Sequence, residues 1–295
     1  MSDIQGFVSS SIERITFELD RLLPAESEEP ERLHSAVRWS VFGGGKRIRP
    51  ILVIASRTCF GAGIEQLIQT AAAFEMVHTY SLIHDDLPAM DDDKFRRGRE
   101  TCHVKFGEAT AILAGDLLET LAFKTIADDE MISPEQRLGL ISELAAAAGS
   151  PRGMVAGQQF DLDSEGIEPT PELLQKIHSN KTGSLIRSAV RAGGMIAKAA
   201  DKDIAALSEF GTHLGLLFQI TDDLLDVTQT SSVLGKTAAK DVASEKATYP
   251  RLFGIEKTRD LAAEAYAGAM ATLDQTTENT DLLRRIAEII LTRQT

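Results

Sequence analysis

The sequence predicts an all-α protein, in which residues 1–295 form a single domain built as one large helical bundle. Apolar residues recur at helical spacing along most of the chain, whereas the alternation of apolar and polar residues that marks strands is almost absent. Alanine is abundant and aromatic residues make up only 5% of the sequence, a composition that favours helices over strands. Without strands to form a sheet, the helices are expected to bury their apolar faces against one another.

Helical spacing and its punctuation predict the elements in chain order. Pro24 stops the first helix and Pro88 the fourth, because proline removes a backbone donor and clashes with the preceding turn. Ser133 and Thr170 each precede a proline, the pattern of an N-cap followed by proline at the first helical position. The predicted helices are 7–23, 33–42, 50–60, 64–87, 107–127, 134–148, 171–198, 202–227, 249–274 and 280–293, and the longer polar gaps are 161–170 and 228–248.

Composition excludes several classes of partner. The net charge of −13 argues against nucleic acid and anionic membranes as main partners. The two cysteines, Cys59 and Cys102, provide neither a disulfide framework nor zinc spacing, which indicates a reducing compartment. No signal peptide is visible at the N-terminus, and no apolar run approaches the roughly 20 residues that span a bilayer. We therefore expect a cytoplasmic protein without stable membrane insertion.

Two aspartate clusters lie in otherwise apolar stretches of the two halves of the chain. The first reads SLIHDDLPAMDDDKFRRGRE and contains Asp85, Asp86 and Asp91, and the second reads LFQITDDLLDVT and contains Asp222 and Asp226. Like charges repel at these helical spacings, and carboxylates among apolar residues lose hydration. A cation should therefore compensate them, and Mg²⁺ prefers oxygen ligands, often one or two carboxylates with substrate phosphates.

The second cluster predicts one polar face of a helix. Gly211, Gly215, Gln219, Asp222 and Asp226 share that face, and leucine, isoleucine and valine cover much of the remainder. We expect this face to line a wet internal cavity, and the alternative is a solvated acidic surface. The two aspartates would be about 6 Å apart along the helix axis. The two clusters reflect either an old duplication or two helices that face each other across a cavity.

The first cluster lies where a helix is expected to end at Pro88. Asp85 and Asp86 would then lie near the negative end of the helix dipole, where a carboxylate without a cation is unfavourable. An ordinary acidic loop would account for Asp92 and Asp93, but it would not account for Asp85 and Asp86.

Basic residues beside these clusters indicate phosphate binding. Lys46 and Arg49 follow a glycine run, and Arg96 and Arg97 follow the first aspartate cluster directly. Ile177 and Leu185 lie four residues before and after Lys181, which predicts that the lysine lies on an apolar stripe of a helix. The candidate residues that have an equally ordinary explanation, as surface lysines or a core histidine, are Lys236, Lys246 and His78.

These motifs resemble those of the trans-prenyltransferases, and most of all the bacterial short-chain farnesyl diphosphate synthases. The shared motifs are GGGKRIRP, DDLPAMD followed by RRGR, the pair Lys181-Thr182, and FQITDDLLD followed by GK and KATYP. The resemblance implies the isoprenoid synthase fold around a central cavity, a homodimer, and three Mg²⁺ ions bound with an allylic diphosphate. It also implies that isopentenyl diphosphate condenses head to tail with dimethylallyl or geranyl diphosphate, giving farnesyl diphosphate (C15) and pyrophosphate.

The resemblance assigns a role to each matching residue. Metal ligands would be Asp85, Asp86, Asp91, Asp222 and Asp226. The allylic diphosphate would contact Arg96, Lys181, Lys236 and Lys246, and isopentenyl diphosphate would contact Lys46, Arg49, His78 and Arg97. Thr182 and Gln219 would join Lys181 in stabilising the allylic cation. One departure is Ala239, where the family usually has glycine, and it leaves the conformation of that loop open.

Product length depends, in the family, on the residues just before the first aspartate cluster. Tyr80 is five positions before Asp85 and corresponds to the aromatic floor of farnesyl-forming members, while Ser81 leaves room above that floor. The alternative is that Tyr80 is an ordinary core residue. A C20 product is the alternative to C15. Two other classes of protein stay open. One is an HD-type metal phosphohydrolase, because the pair His84-Asp85 resembles the His-Asp pair of such enzymes. The other is a non-catalytic subunit of a prenyl synthase.

Overall fold

The computed structural model of the chain describes residues 4–61, 63, 65–228 and 248–293. The regular secondary structure of these residues is helical apart from one short two-stranded ribbon, so the predicted all-α bundle is confirmed. The helices are α1 (Ile4–Leu22), α2 (Glu31–Val41), α3 (Ile48–Thr58), α4 (Ile68–Asp85), α5 (Cys102–Phe106), α6 (Glu108–Ala127), α7 (Pro134–Ala148), α8 (Met154–Asp163), α9 (Pro171–His178), α10 (Ser184–Ile196), α11 (Asp201–Thr228), α12 (Tyr249–Leu273) and α13 (Asp281–Thr292). A 3₁₀ turn (Glu65–Leu67) precedes α4, and the antiparallel strands are β1 (Phe95–Arg96) and β2 (Arg99–Glu100).

The described residues form two compact units. The first contains residues 4–51 and 65–141, and the second contains 52–61, 63, 142–228 and 248–293, so the division falls within α3 and α7. The expectation that residues 1–295 form a single domain stays a prediction.

The first unit is centred on α4, which is buried along nearly its whole length. Helix α4 packs mainly against α6, and α1 and α2 also contact it. Near the end of α4, the imidazole of His84 lies against Gly115 of α6, where a Cβ atom would overlap the ring. The close approach of these two helices fixes the position of the first aspartate cluster.

The second unit is centred on α11, which packs against α10 and α12. A Cβ atom at Gly211 would come within 2.7 Å of the Arg187 Cα atom, and one at Gly215 within 2.8 Å of the Gly183 Cα atom. The prediction that these two glycines line a wet cavity was therefore wrong, because they are positions of close helix packing. Small residues on a helix face are compatible with either role, and only the neighbouring backbone distinguishes them.

Several helix boundaries differ from the prediction. Helix α8 was missed, and its end overlaps the predicted loop 161–170, because MVAGQQFDLD combines glycine and polar residues with little apolar periodicity. The predicted helix 171–198 is interrupted by a π-helical segment, Ser179–Gly183. The short α5 and the β1–β2 ribbon were also missed, since neither is long enough to show a period. The described helices include none that is long and apolar enough to cross a membrane.

Candidate active site

The first aspartate cluster caps the end of α4. The backbone N–H of Asp91 donates to the Asp85 carbonyl oxygen at 2.8 Å, and that of Asp93 donates to the Asp86 carbonyl oxygen at 3.1 Å. These bonds satisfy carbonyl groups that a helix end leaves without partners. The acidic segment therefore folds back on the helix and brings the backbone of Asp91 beside that of Asp85, two of the predicted metal ligands.

Asp86 is paired with Arg96 of β1. The Arg96 Nε atom lies 2.9 and 3.0 Å from the two Asp86 carboxylate oxygens, and Nη2 lies 2.5 Å from Oδ1. Although burial lowers the pKa of Arg96, the hydrogen bond and attraction to Asp86 outweigh it and raise the pKa above its ordinary value. Asp86 is only 3% exposed, so the compensating cation that the sequence required is supplied here by the protein itself.

His78 precedes this cluster on α4, in a strongly positive environment. Its Nδ1 atom is buried and has no hydrogen-bond partner among the described residues. Burial lowers its pKa well below the ordinary value, and the positive charges of Arg49, Arg97, Arg96 and Arg47 lower it further. His78 is therefore neutral at physiological pH, among arginines that would favour an anion.

The glycine run is positioned by Arg47, a residue that the sequence analysis did not single out. Arg47 has a left-handed backbone (φ 49°), and its side chain pairs with buried Glu75 of α4 at 2.5 Å. Arg47 and Glu75 are 6% and 2% exposed, so this is a buried ion pair. The signal in the sequence was Glu75 itself, a charged residue within the apolar run AAAFEMVH.

The glycine run and the arginine-rich ribbon contact each other. Arg97 donates to the Gly44 carbonyl oxygen, and Arg99 donates to that of Phe42 at 3.3 Å. Lys46 is exposed and Arg49 is 8% exposed. Of the predicted isopentenyl diphosphate residues, Arg97 lines a pocket together with Asp86, Arg96 and Arg99, and the charges of Arg49 and Arg97 act on His78.

Tyr80 and Ser81 lie in the turn of α4 that precedes Asp85. Tyr80 is 5% exposed, packs edge-on against His84 with ring centroids 5.8 Å apart, and leaves its hydroxyl without a hydrogen-bond partner in the described residues. Ser81 donates to the His78 carbonyl oxygen at 2.8 Å. Their role in product length stays a prediction.

In the second unit, Lys181 belongs to the π-helical segment rather than to a regular helix. Its Nζ atom lies 2.7 Å from Oδ2 of Asp161 on α8, and both side chains are about one-fifth to one-quarter exposed (24% and 21%). The predicted alignment of Lys181 on an apolar stripe assumed regular helical spacing, which the π-helical segment breaks. Asp161 was missed because its helix was missed.

Thr182 and Gln219 are joined by a hydrogen bond. The Thr182 hydroxyl donates to Gln219 Oε1 at 3.0 Å, and Gln219 Nε2 donates to Asp223 Oδ1 at 2.8 Å. Asp223 also accepts from the Tyr249 backbone N–H at 2.9 Å. Burial raises the pKa of Asp223 to about 7, against the lowering effect of these two hydrogen bonds. The structure therefore links two predicted catalytic residues to the middle aspartate of the second cluster.

The outer aspartates of the second cluster are more accessible. Asp226 is exposed, and the Asp222 side chain is 42% exposed and pairs with Arg293 at 2.7 Å. Arg293 also lies 4.3 Å above the Phe218 ring. A single arginine at the end of the chain carries no motif, so the sequence offered no signal for this contact. Lys236, Lys246 and Ala239 lie outside the described residues.

The donor atoms of the two clusters fit Mg²⁺ by their chemistry, since they are carboxylate oxygens. Within the part of the chain that the structure describes, no three or more histidine, cysteine, aspartate or glutamate side chains are arranged as a complete metal site.

Comparisons with known proteins agree with this combination of motifs and fold. Residues 30–290 match the Polyprenyl synthetase family. The farnesyl diphosphate synthase of Escherichia coli (strain K12) is 47% identical over 258 residues, 85% of each chain. Geranylgeranyl pyrophosphate synthase 7, chloroplastic, of Arabidopsis thaliana is 45% identical over 244 residues, 82% of this chain and 70% of that one.

Among solved structures, an FPP/GFPP synthase from Zymomonas mobilis superimposes with a TM-score of 0.88 at 34% identity, covering 98% of this chain and 99% of that one. Sequence and structure thus lead to the same family, and its members transfer prenyl groups. The chain belongs to the polyprenyl synthetase family and is a trans-prenyltransferase.

Proposed function

We propose that this enzyme makes farnesyl diphosphate (C15) by Mg²⁺-dependent, head-to-tail condensation of isopentenyl diphosphate with dimethylallyl or geranyl diphosphate. The observation that carries the C15 assignment is the position of Tyr80, a buried aromatic ring in the turn before Asp85. A growing apolar chain that enters beside Asp85 would meet this ring and stop. Pyrophosphate is the second product.

Asp85, Asp86, Asp91, Asp222 and Asp226 would hold the metal ions, which we propose to be three and to bind with the allylic diphosphate. Mg²⁺, when bound, would neutralise the diphosphate and make it a better leaving group. Asp86 and Asp222 are each paired with an arginine. Those arginines keep the carboxylates compensated until the substrate and its cations bind.

The basic residues would form two diphosphate subsites. Arg49, Arg97, Lys46 and His78 would hold isopentenyl diphosphate, and the positive environment of His78 supports this assignment. Because His78 is neutral, it can donate a hydrogen bond without adding a further charge. Residues proposed for the allylic diphosphate are Arg96, Lys181, Lys236 and Lys246.

Lys181, Thr182 and Gln219 would act on the reacting carbons. The Thr182 hydroxyl donates its hydrogen to Gln219, so the lone pairs of the hydroxyl oxygen remain available to a positive charge. Fixed dipoles of this kind stabilise a developing cation without reorganising during the reaction. The released pyrophosphate would then accept the proton that the new carbocation loses.

We also propose a cytoplasmic homodimer. The observation in its favour is the apolar surface of α6, where Ile112 is 45% exposed and Leu113 is 55% exposed. Burying such side chains against a second copy would remove apolar surface from water.

The second candidate is synthesis of geranylgeranyl diphosphate (C20), which is favoured by the Arabidopsis relative named above. The family match favours prenyl transfer over the HD-type hydrolase. In addition, His84 Nε2 lies 3.0 Å from the Ile112 carbonyl oxygen and is therefore engaged within the fold.

The test is to incubate the full chain with isopentenyl diphosphate, dimethylallyl or geranyl diphosphate, and Mg²⁺, and to identify the products by chain length. We expect C15 as the main product and its loss when EDTA removes the metal. A main product of C20 would overturn the C15 assignment. Phosphate release without carbon–carbon bond formation would overturn the proposed reaction, and an inactive chain would support the non-catalytic subunit.

A further inference from the structure

The three aspartates of the second cluster, Asp222, Asp223 and Asp226, have different surroundings. The Asp222 side chain is 42% exposed and Asp226 is exposed, whereas Asp223 is only 4% exposed. Since the three residues share one helix, their carboxylates leave α11 in different directions. Their similarity in sequence therefore does not imply a common role.

Both carboxylate oxygens of Asp223 already have partners. Gln219 Nε2 donates to Oδ1 at 2.8 Å, and the Tyr249 backbone N–H donates to Oδ2 at 2.9 Å. Tyr249 is the first residue of α12, so the second bond ties the start of that helix to α11. The partner of Asp86 is an arginine side chain, which a substrate diphosphate can attract away, whereas Asp223 is held in part by a backbone N–H, which no substrate can attract away.

We propose that Asp223 is a positioning residue rather than a metal ligand, and that it sets the orientation of the Gln219 amide and of the Thr182 hydroxyl. The inference deepens the proposed function, since it rests on the catalytic role given there to Thr182 and Gln219. Asp223 acts on the reaction only through Gln219.

The direction of the hydrogen bonds follows from the chemistry of the groups. The Gln219 NH₂ group and the Tyr249 backbone N–H are both donors, so both oxygens of Asp223 accept hydrogen bonds. Gln219 must therefore turn its NH₂ group toward Asp223 and its carbonyl oxygen toward Thr182. Thr182 in turn must donate its only hydroxyl hydrogen to Gln219. A carboxylate at position 223 thus determines which atoms of Thr182 remain available for the reaction.

Replacing the carboxylate by an amide reverses this chain. In Asp223→Asn, the side chain can use its oxygen for the Tyr249 N–H and its NH₂ group for Gln219, whose amide then flips to accept. Gln219 Nε2 would point to Thr182 and use one of its hydroxyl lone pairs. Adding Gln219→Glu restores the original direction of the Thr182 hydrogen bond. The carboxylate at position 219 accepts from the amide introduced at position 223 and from the Thr182 hydroxyl.

The experiment compares Asp223→Asn, the double variant Asp223→Asn/Gln219→Glu, and Asp222→Asn as the matched amide change at a proposed ligand. At pH 8, we expect Asp223→Asn to lower kcat about tenfold or more, with the KM values of both substrates and the half-saturating Mg²⁺ concentration within about twofold of the wild type. The double variant should recover most of kcat. Asp222→Asn should instead raise the Mg²⁺ requirement at least about tenfold.

A shift of the Mg²⁺ requirement in Asp223→Asn equal to that in Asp222→Asn would show that Asp223 is a ligand. An unchanged kcat, or a reduced kcat that the double variant does not restore, would overturn the positioning role. If the Asp223→Asn variant does not fold, the Gln219→Glu variant alone tests the inference. It places two carboxylates side by side, and we expect it to lose kcat at an unchanged Mg²⁺ requirement, whereas retained kcat would overturn the inference.

A second readout does not depend on turnover. Mg²⁺ with inorganic pyrophosphate should raise the melting temperature of wild type and Asp223→Asn equally, and that of Asp222→Asn less. If wild type shows this stabilisation but makes no prenyl product, the proposed function fails while the assignment of Asp223 as a non-ligand stands. A smaller stabilisation in Asp223→Asn than in wild type would overturn that assignment.

Discussion

Arg293, the residue that follows the last helix, places its Nη2 atom 2.7 Å from Oδ1 of Asp222. The same guanidinium donates to the Thr221 hydroxyl and the Phe218 carbonyl oxygen, each at 2.7 Å, and its side chain is only 8% exposed. The protein thus supplies its own cation to a carboxylate that we propose as a metal ligand.

Removing this cation should make Asp222 more available to Mg²⁺. Because an ion pair with a partly exposed partner is worth about 0–1 kcal/mol, we expect Arg293→Met to lower the half-saturating Mg²⁺ concentration by about two- to fivefold. Arg284→Met is the matched control, since Arg284 of α13 pairs with Asp274, an exposed residue that we do not propose as a metal ligand. A Mg²⁺ titration of activity decides the point, and an increased requirement in Arg293→Met would contradict it.

Both aspartate clusters should be needed for turnover. Asp85→Ala or Asp222→Ala should lower kcat by several powers of ten, since loss of one electrostatic group can already cost about 10²-fold or more. The fold should persist, because Asp85 and Asp222 are both partly exposed. Asp128→Ala, which removes an exposed aspartate paired with Lys124, is the control and should retain activity. Undiminished turnover of the EDTA-treated wild type would exclude the metal requirement.

The two diphosphate subsites should respond to different substitutions. We expect Arg49→Ala to raise KM mainly for isopentenyl diphosphate and Lys181→Ala mainly for the allylic substrate. Hydrogen bonds to charged groups are worth about 1.5–3 kcal/mol, so each KM should rise about ten- to a hundredfold. Asp161→Asn should act on the same KM as Lys181→Ala but more weakly, because Asp161 holds the lysine. Equal effects on both substrates would show that the subsites were assigned wrongly.

Tyr80 should determine where the product stops growing. Tyr80→Ala should shift products to C20 and longer, because a longer tail gains about 25 cal/mol per Å² of buried apolar surface. The cavity should also cost about 3–5 kcal/mol of stability. Tyr80→Phe is the matched control: it keeps the ring and removes a buried hydroxyl for which the described residues offer no partner. A folded, active Tyr80→Ala enzyme that still stops at C15 would place the floor elsewhere.

His178 should make stability depend on acid pH. Burial lowers its pKa from 6.5 to about 4, with Asp161 opposing and Lys181 adding to the decrease. The unfolded chain therefore binds more protons between these pH values, and stability present above pH 6.5 is lost as the pH falls to 4, by about 3 kcal/mol. His178→Phe should remove this loss and keep a ring against Tyr249. Denaturant unfolding of wild type and His178→Phe from pH 4 to 7 measures this loss of stability. An equal loss in both proteins would refute the prediction.

The sequence by itself determined the fold class, the two aspartate clusters, the family motifs and most of the long helices. These depend on helical spacing, capping residues and short motifs, all of which are local. It was least informative where local patterns are weak. Helix α8 lacks a clear apolar face, and the π-helical segment at Lys181 changes the spacing that placed this residue on an apolar stripe.

Only the tertiary structure decided the partners of the charged side chains. Asp86 with Arg96, Asp222 with Arg293 and Lys181 with Asp161 are each brought together by the packing of separate elements. It also separated Asp222 from Asp223, which are neighbours in sequence, because adjacent residues leave a helix about 100° apart and meet different surroundings. Burial and hydrogen bonding distinguish an exposed carboxylate from a positioning one, and both depend on neighbours that are distant in the chain.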